Sequence, residues 1–113
     1  MFISRTWHGA VPKQFGDGFA AYLQETGVQE SQAIAGNAGA FVCRMEQEDF
    51  SHFFLCTLWR SWGAIHAFAG EQPHIAVTYP EDARYGLISD PIVIHQAVST
   101  DANPFVVGPD TSV

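Results

Sequence analysis

Apolar residues recur along the chain with two spacings, one typical of strands and the other typical of helices. Two segments with apolar residues on one helical face predict helices at about 12–26 and 61–70. Four segments rich in β-branched and aromatic residues predict strands at 2–9, 40–47, 50–59 and 91–98. This order predicts an α+β domain of ferredoxin-like βαββαβ type, and right-handed crossovers give the antiparallel sheet order 4-1-3-2.

The first predicted helix has clear signals at both ends. Pro12 suits a first helical position, and Gly27 is a residue typical of helix C-terminal caps. Gly16 and Gly18 each cost this helix up to about 1 kcal/mol relative to alanine, so we expect close packing against the sheet to hold it. Residues 28–39 carry turn formers and scattered apolar positions, which predicts an exposed connection.

The two central strands are separated by two acidic residues and predict a hairpin. If Gln47 faces Phe50, then Cys43 and Cys56 lie diagonally rather than opposite each other. Neither cysteine belongs to a CxxC spacing or to a secreted-type framework. We therefore predict two reduced, buried thiols and no disulfide.

The second hairpin strand is apolar on both faces. Its two alternating sets are Phe50, Phe54, Cys56 and Leu58, and Phe53, Leu55, Thr57 and Trp59. Helices cover only one face of such a sheet, and an uncovered apolar face of several hundred Å² is typical of an interface. Hydrophobic residues also make up 47% of the chain and charged residues only 15%. The sequence thus predicts a homodimer through the sheet faces, with the set that meets the partner left open.

Length and charge limit the possible organisation and partners. At 113 residues the chain has the size of one domain, which we place at 1–98, followed by a C-terminal tail at 99–113 that is either an arm or disordered. The net charge of −7 would repel a phosphate backbone, so no nucleic acid partner is expected. Signal-like residues and membrane-length apolar stretches are also lacking, which predicts a cytoplasmic protein with no membrane partner.

Several stretches share a pattern with one known family. They are RTWHGAVP, GNAG, TLWRSWGAIHAFAG, YPED and the closing P-x-V-x-H, distributed over about residues 2–98. Together they resemble the antibiotic biosynthesis monooxygenase family of dimeric α/β barrels. The resemblance implies a pocket enclosed by the sheet and helices of each subunit. In some members of that family, such a pocket oxidises phenolic or quinol-like substrates with O₂ and without metal or flavin.

Two branches of the family can be compared with this chain by position. Haem-degrading members use an Asn in the first strand, a Trp in the second helix and a His after it. The corresponding positions here hold Arg5 or Thr6, Phe68, and Thr78 or Tyr79. The resemblance therefore implies no haem site. Polyketide-oxidising members use a Trp at the end of the third strand, which Trp59 matches.

Oxidation without a cofactor needs a base, an aromatic pocket and a donor for developing negative charge. His8 and His95 lie on strands predicted to be adjacent, so we expect their side chains to approach each other as catalytic residues. Trp59 is the third catalytic candidate, because it could stack on a ring substrate and donate its N–H. The alternatives are hydrogen-bonded structural histidines and a core tryptophan.

Two more residues are candidates for substrate binding. Tyr79 could donate to a substrate oxygen, and Arg5 could pair with an anion if it points into the pocket. The alternatives are a loop anchor before Pro80 and a solvated or ion-paired arginine. Trp7 points away from His8, so it is expected in the other layer or at the dimer seam.

Other chemistries lack their sequence signatures. The chain has no GxGxxG, GxSxG, Walker, CxxC or HxxxH pattern, so no metal and no other cofactor is expected. The remaining histidines are expected at the surface: His52, His66 and His74. The leading hypothesis is a cofactor-independent, monooxygenase-like oxidoreductase acting on a small aromatic or quinol-type molecule. The alternative is a non-catalytic small-molecule-binding or stress-response dimer of the same fold.

Overall fold

The computed structural model describes residues 2–99 of the chain. Five strands and three α-helices follow one another as β1 (Phe2–Pro12), α1 (Gly16–Leu23), α2 (Gln29–Gln32), β2 (Asn37–Gln47), β3 (Phe50–Trp59), α3 (Trp62–Ala69), β4 (Ile88–Ser89) and β5 (Ile94–Val98). Short 3₁₀ turns at Lys13–Phe15 and Asp82–Tyr85 and a π-helical turn at Gln24–Val28 complete the helical elements. The predicted tail lies outside the described residues, except for its first residue.

The strands form one antiparallel sheet in the order β2-β3-β1, with β4 and β5 both pairing along the other edge of β1. Because β5 is the predicted fourth strand, the α+β class and the order 4-1-3-2 are confirmed. The two-residue strand β4 has no counterpart in the predicted elements. None of the described helices has the length and apolar character needed to cross a lipid bilayer.

The hairpin has the predicted register. Gln47 lies opposite Phe50 and Cys43 opposite Phe54, so the two cysteines are diagonal neighbours, and both are free thiols. The prediction that both thiols are buried is wrong, since Cys43 is exposed and Cys56 is only partly buried. Both lie on the sheet face that no helix covers, which explains their exposure.

The first helical region is longer than predicted and passes through Gly27 instead of ending there. A Cβ at Gly27 would lie only 2.8 Å from Leu55 Cδ2, so glycine serves here for close approach to the sheet and not as a cap. Val28 and Ser31 are buried, so the prediction of an exposed connection is wrong for that part of 28–39. The close approach predicted for Gly16 is confirmed, because a Cβ there would lie 2.7 Å from Ser51 Oγ.

The second predicted helix is α3, and both of its ends match the prediction. The Ser61 side chain accepts a hydrogen bond from the Ala64 backbone N–H at 3.1 Å, and Gly70 ends the helix with φ 85°. Its buried residue Ile65 packs with Trp59 beneath the helix. A larger core cluster lies between α1 and the sheet around Phe19, Phe53 and Leu55.

The two faces of the sheet differ in cover. The set that begins at Phe53 faces the helices, and Phe53, Leu55, Thr57 and Trp59 are all buried. The set that begins at Phe50 therefore lies on the opposite face, which we call the uncovered face. Its exposed apolar residues include Met45, Phe50, Ile88 and Ile94, the last two each 62% exposed. The structure thus shows which of the two alternating sets the described helices cover, and pairing of the other set with a partner stays a prediction.

Candidate functional site

A cavity of about 30 Å³ lies between the helix-facing side of the sheet and the helical layer, which we call the Arg5 cavity. Strand β1, the turn of π-helix and the segment between α3 and β4 all contribute to its walls. Its lining residues are Arg5, Trp7, Phe19, Leu23, Thr26, Gly27, Leu55, Phe68, Val77, Tyr79, Asp82 and Leu87. The walls are therefore mostly apolar and aromatic, with a few polar groups, as is usual for small-molecule sites.

Arg5 is the charged group of this cavity, and only 3% of it is exposed. Its Nε and Nη2 donate to the carbonyl oxygens of Pro73 and Ile75 at 3.3–3.4 Å, and its guanidinium lies 5.5 Å from the centre of the Phe68 ring. Burial lowers the pKa of Arg5 to about 10, so the side chain remains charged at neutral pH.

Two donor N–H groups of Arg5, both on Nη1, have no acceptor among the described residues. Within residues 2–99, no carboxylate forms an ion pair with Arg5, and Nη1 donates to no atom. A buried guanidinium without a counter-ion is costly, since a buried charge is normally paired. An acceptor with negative charge would satisfy these donors.

Tyr79 supplies a second unused donor. Its hydroxyl oxygen is buried and has no hydrogen-bond partner among the described residues. Burial raises the pKa of Tyr79, and nearby Glu30 and Asp82 raise it further while Arg5 acts in the opposite sense, so the phenol stays protonated. Arg5 and Tyr79, both predicted from the sequence as substrate-binding residues, thus line the same cavity.

Asp82 and Trp7 line the cavity but are not predicted as site residues. Asp82 accepts a hydrogen bond from the Tyr79 backbone N–H at 2.8 Å, and burial raises the pKa of its carboxyl group. Trp7 donates from Nε1 to Ser89 Oγ at 2.8 Å and presents its ring to the cavity. Side chains alternate between the two faces along β1, so the sequence already places Trp7 on the same face as Arg5. This alternation is the signal from which Trp7 could have been predicted as a cavity residue. Asp82 has no comparable signal, because it lies in an irregular segment.

Trp59 lies behind the cavity wall. It is fully buried, its Nε1 donates to Thr57 Oγ1 at 2.7 Å, and its ring stacks on Phe68 with centroids 5.6 Å apart. It is not among the lining residues, whereas Phe68 is. Trp59 therefore packs behind Phe68 and supports that part of the cavity wall. The Trp59 N–H already donates to Thr57 within the core.

The expected approach of His8 and His95 is wrong. His95 lies opposite Arg5 in the β1–β5 register, on the helix-facing side, whereas His8 lies three residues from Arg5 and projects from the uncovered face. Side chains alternate strictly between the two faces of a strand, so these two cannot meet. Neither histidine lines the Arg5 cavity.

Each histidine has its own neighbours. On the uncovered face, His8 Nδ1 lies 2.8 Å from Asp90 Oδ2 and its Nε2 lies 2.9 Å from His52 Nδ1. The His95 ring lies 5.0 Å from the Trp62 ring, and its Nε2 is buried without a partner among residues 2–99. Burial, Arg5 and His74 lower the pKa of His95, so it is held in the neutral form. In the described part of the chain, no three His, Cys, Asp or Glu side chains converge as a metal site would require.

Comparison with known proteins gives similarity in structure only. No protein-family model matches the chain, and no curated protein matches it. Rv0793 from Mycobacterium tuberculosis superposes with a TM-score of 0.58 at 15% identity, over 91% of this chain and 100% of that chain. A "putative antibiotic biosynthesis monooxygenase" from Deinococcus radiodurans superposes with a TM-score of 0.61 at 15% identity, over 96% of this chain and 100% of that chain. The chain therefore shares the fold of these proteins, which confirms at the level of the fold the resemblance seen in its sequence.

Proposed function

We propose that this protein oxidises a small aromatic or quinol-type molecule with O₂, without metal or flavin, in the Arg5 cavity. The observation that carries the proposal is the combination of aromatic walls with the unused donors of Arg5 and Tyr79. Such donors stabilise an oxyanion far better in a desolvated cavity than in water. The shared fold with a protein named for antibiotic biosynthesis monooxygenases supports the same reaction class.

Three side chains have roles in this proposal. Asp82 takes the proton of a phenol or enol hydroxyl, because burial makes its carboxylate a stronger base than usual. Arg5 and Tyr79 then donate to the resulting oxyanion, which is electron-rich enough to react with O₂. A ring C–H next to the oxyanion carbon becomes C–OH, and the two quinol hydroxyls become the two C=O groups of a quinone. The substrate thus gains one oxygen atom and loses two hydrogens, which leave as water with the second oxygen atom. The substrate loses four electrons and O₂ gains four, so no further reductant is needed.

The cavity must enlarge to admit such a substrate. A volume of about 30 Å³ holds only about one or two water molecules. The segment at 70–87 forms one wall through Val77, Tyr79, Asp82 and Leu87 and has little regular structure. Its hydrogen bonds to Arg5 are long, at 3.3–3.4 Å, and a substrate anion would compete for the same guanidinium. We therefore propose that this segment moves when substrate enters.

Oxygen uptake by the pure protein tests the proposed reaction. A panel of quinols, including 1,4-naphthohydroquinone, is incubated with the protein in a closed oxygen electrode, and products are identified by mass spectrometry. The proposal predicts uptake above autoxidation for at least one compound and incorporation of one atom of ¹⁸O₂. Uptake equal to autoxidation across the whole panel would reject it.

Replacing Asp82 with asparagine should remove the base but keep the fold. We expect kcat/KM to fall by about 10² to 10⁴, the usual contribution of a general base. In the unchanged protein, kcat/KM should decline as the pH drops through the raised pKa of Asp82, because a protonated carboxyl accepts no proton. A pH profile from oxygen uptake measures both effects, with Glu81→Gln as the control on an exposed neighbour.

The stability of the Asp82→Asn variant separates catalysis from folding. Because the folded protein raises this pKa, the stabilisation from the bound proton is present at low pH and is lost as the pH rises through the raised value. Asparagine Oδ1 can also still accept the Tyr79 N–H. At neutral pH we therefore expect an unchanged or higher Tm. An active variant with an unchanged pH profile would show that Asp82 is not the base.

Replacing Gly27 with alanine should fill the cavity. The new Cβ would lie 2.8 Å from Leu55 Cδ2 and 3.2 Å from Leu23 Cδ1, and both side chains line the cavity, so one must shift. Alanine favours a helix by about 1 kcal/mol, but displacing a packed leucine costs about 1 to 3 kcal/mol, so we expect a slightly lower Tm together with weaker anaerobic binding of 1,4-naphthohydroquinone. Gly63→Ala is the control, because its nearest contact is 3.8 Å away. Equal affinities of the two variants, measured by calorimetry, would contradict this role.

A non-catalytic binding role is the second candidate. It is favoured by the observation that neither His8 nor His95 lines the cavity, so no imidazole is available there for proton transfer. This role predicts anaerobic binding of the quinols with no oxygen uptake. Binding that depends on Arg5 without turnover would therefore identify a small-molecule-binding protein, including one of the stress-response kind.

We propose further that two copies pair through their uncovered faces to form a dimeric α/β barrel. Strands β2, β3, β4 and β5 each place an exposed apolar side chain on this face, and none of the described helices lies on it. The interface would also bury His8, His52 and Asp90, which are already hydrogen-bonded to one another. Their mutual hydrogen bonds satisfy polar groups that burial would otherwise leave unpaired.

A further inference from the structure

A second concave surface, which we call the Trp62 groove, lies where β5 and the end of β3 meet the start of α3. Its volume is about 420 Å³, within the usual range of about 300–1,000 Å³ for ligand sites. It is lined by Ile3, Arg60, Ser61, Trp62, His95, Gln96 and Ala97. Among residues 2–99, none lines both this groove and the Arg5 cavity, and none that lines the groove is acidic.

Arg60 gives this groove a positive charge that no described carboxylate neutralises. The exposed Arg44 pairs with Asp17 and Glu46, and the exposed Arg84 pairs with Glu81. No carboxylate of residues 2–99 pairs with Arg60, although the whole chain carries a net charge of −7. The Arg60 backbone N–H is fixed to Gly36 O at 2.8 Å, and its guanidinium lies 5.5 Å from the centre of the Phe2 ring. A cation that no described carboxylate pairs, in an otherwise acidic protein, is complementary to an anion.

Trp62 provides an aromatic surface beside that charge. It is 49% exposed, whereas Trp7 and Trp59 are buried. Its ring lies 5.0 Å from the His95 ring, so the two rings form one corner of the groove. Ser61 Oγ already accepts the Ala64 N–H, which leaves its hydroxyl hydrogen to donate. The groove thus combines ring surface with hydrogen-bond donors.

We propose that the Trp62 groove binds a small aromatic anion, with the ring against Trp62 and the acidic group on Arg60. The carboxylate and phosphate groups share the required chemistry, since each accepts paired hydrogen bonds from a guanidinium. This site is separate from the Arg5 cavity, and its existence does not depend on the proposed oxidation.

Calorimetric titration with three probes tests the groove. 2-Naphthoate and 2-naphthyl phosphate carry the anion, and neutral 2-naphthamide carries the ring alone. We expect both anions to bind more tightly than the amide, and the tighter of the two identifies the preferred acid. Arg60→Gln should weaken the anions by about tenfold, the effect of one charge-assisted hydrogen bond, and leave the amide unchanged. Trp62→Ala should weaken all three probes.

Two matched variants locate the binding. Arg84→Gln removes an exposed arginine away from the groove and should leave the affinity for every probe unchanged. Arg5→Gln should also leave these affinities unchanged, because a loss there would place the probes in the Arg5 cavity. All substituted groove residues are exposed, and circular dichroism confirms folding. Equal affinity of the anions for Arg60→Gln and the unchanged protein would overturn the proposal. So would loss of binding in Arg5→Gln alone, or a Trp62 fluorescence that acrylamide does not quench in the free protein.

Discussion

Replacing Ile94 with aspartate should convert the protein to a stable monomer. Ile94 is 62% exposed in the single chain, so a carboxylate there stays solvated and costs the monomer little. In a dimer joined through the uncovered face, the same carboxylate would be buried without a partner. That cost is about 3 to 5 kcal/mol for each of the two protomers, so the dissociation constant should rise by well over about a thousandfold. Analytical ultracentrifugation over a range of concentrations measures the change.

The control places the same charge on the opposite layer. Ala21 is exposed on α1, where no partner is expected, so Ala21→Asp should keep the oligomeric state of the unchanged protein. Aggregation of Ile94→Asp would also agree with a destabilised dimer that exposes the rest of its apolar face. A well-folded dimer of Ile94→Asp with unchanged affinity would contradict pairing through this face.

Short-range patterns predict most of the sheet correctly. The hairpin register follows from a two-residue turn, and the turn leaves no freedom in the pairing of Cys43 and Phe54. The continuation of the helical region through Gly27 could not be predicted, because a glycine that allows close packing against Leu55 has the same sequence signal as a glycine cap. Strand β4 was missed for a related reason. Its two residues are defined by their pairing with β1 and carry no pattern of their own.

The candidate site is predictable only in part. Arg5 and Tyr79 are identifiable as polar residues in an aromatic context, and both line the cavity, although their roles stay predictions. The pairing of His8 with His95 was wrong because adjacency of strands does not fix which faces two residues share. Predicting the shared face requires the register between β1 and β5, and no short turn joins these two strands to determine it. Asp82 reaches the cavity through an irregular segment, whose path depends on tertiary contacts alone.

Replacing Arg5 with methionine should abolish ligand binding while preserving the fold. The bound oxyanion loses two charge-assisted hydrogen bonds from Nη1, each worth about 1.5 kcal/mol or more, so affinity should fall at least about a hundredfold. Methionine also removes a buried charge that no carboxylate of residues 2–99 compensates. Replacing a buried charge with an apolar side chain is often neutral or stabilising. Here the free energy gained by removing the charge offsets the loss of the hydrogen bonds to the Pro73 and Ile75 carbonyl oxygens. We therefore expect a free energy of unfolding within about 1 kcal/mol of the unchanged protein.

Two measurements on the same samples decide the role of Arg5. Anaerobic calorimetry with 1,4-naphthohydroquinone gives the affinity without interference from oxidation, and urea denaturation gives the free energy of unfolding. Arg84→Met is the control, because Arg84 is exposed, pairs with Glu81 and does not line the Arg5 cavity as described. An Arg5→Met variant that unfolds readily but binds the quinol as tightly as before would make Arg5 a structural anchor for the segment at 70–87. Loss of binding at unchanged stability instead means that the protein retains for its ligand a buried cation that no carboxylate of residues 2–99 pairs, at a cost that folding alone does not require.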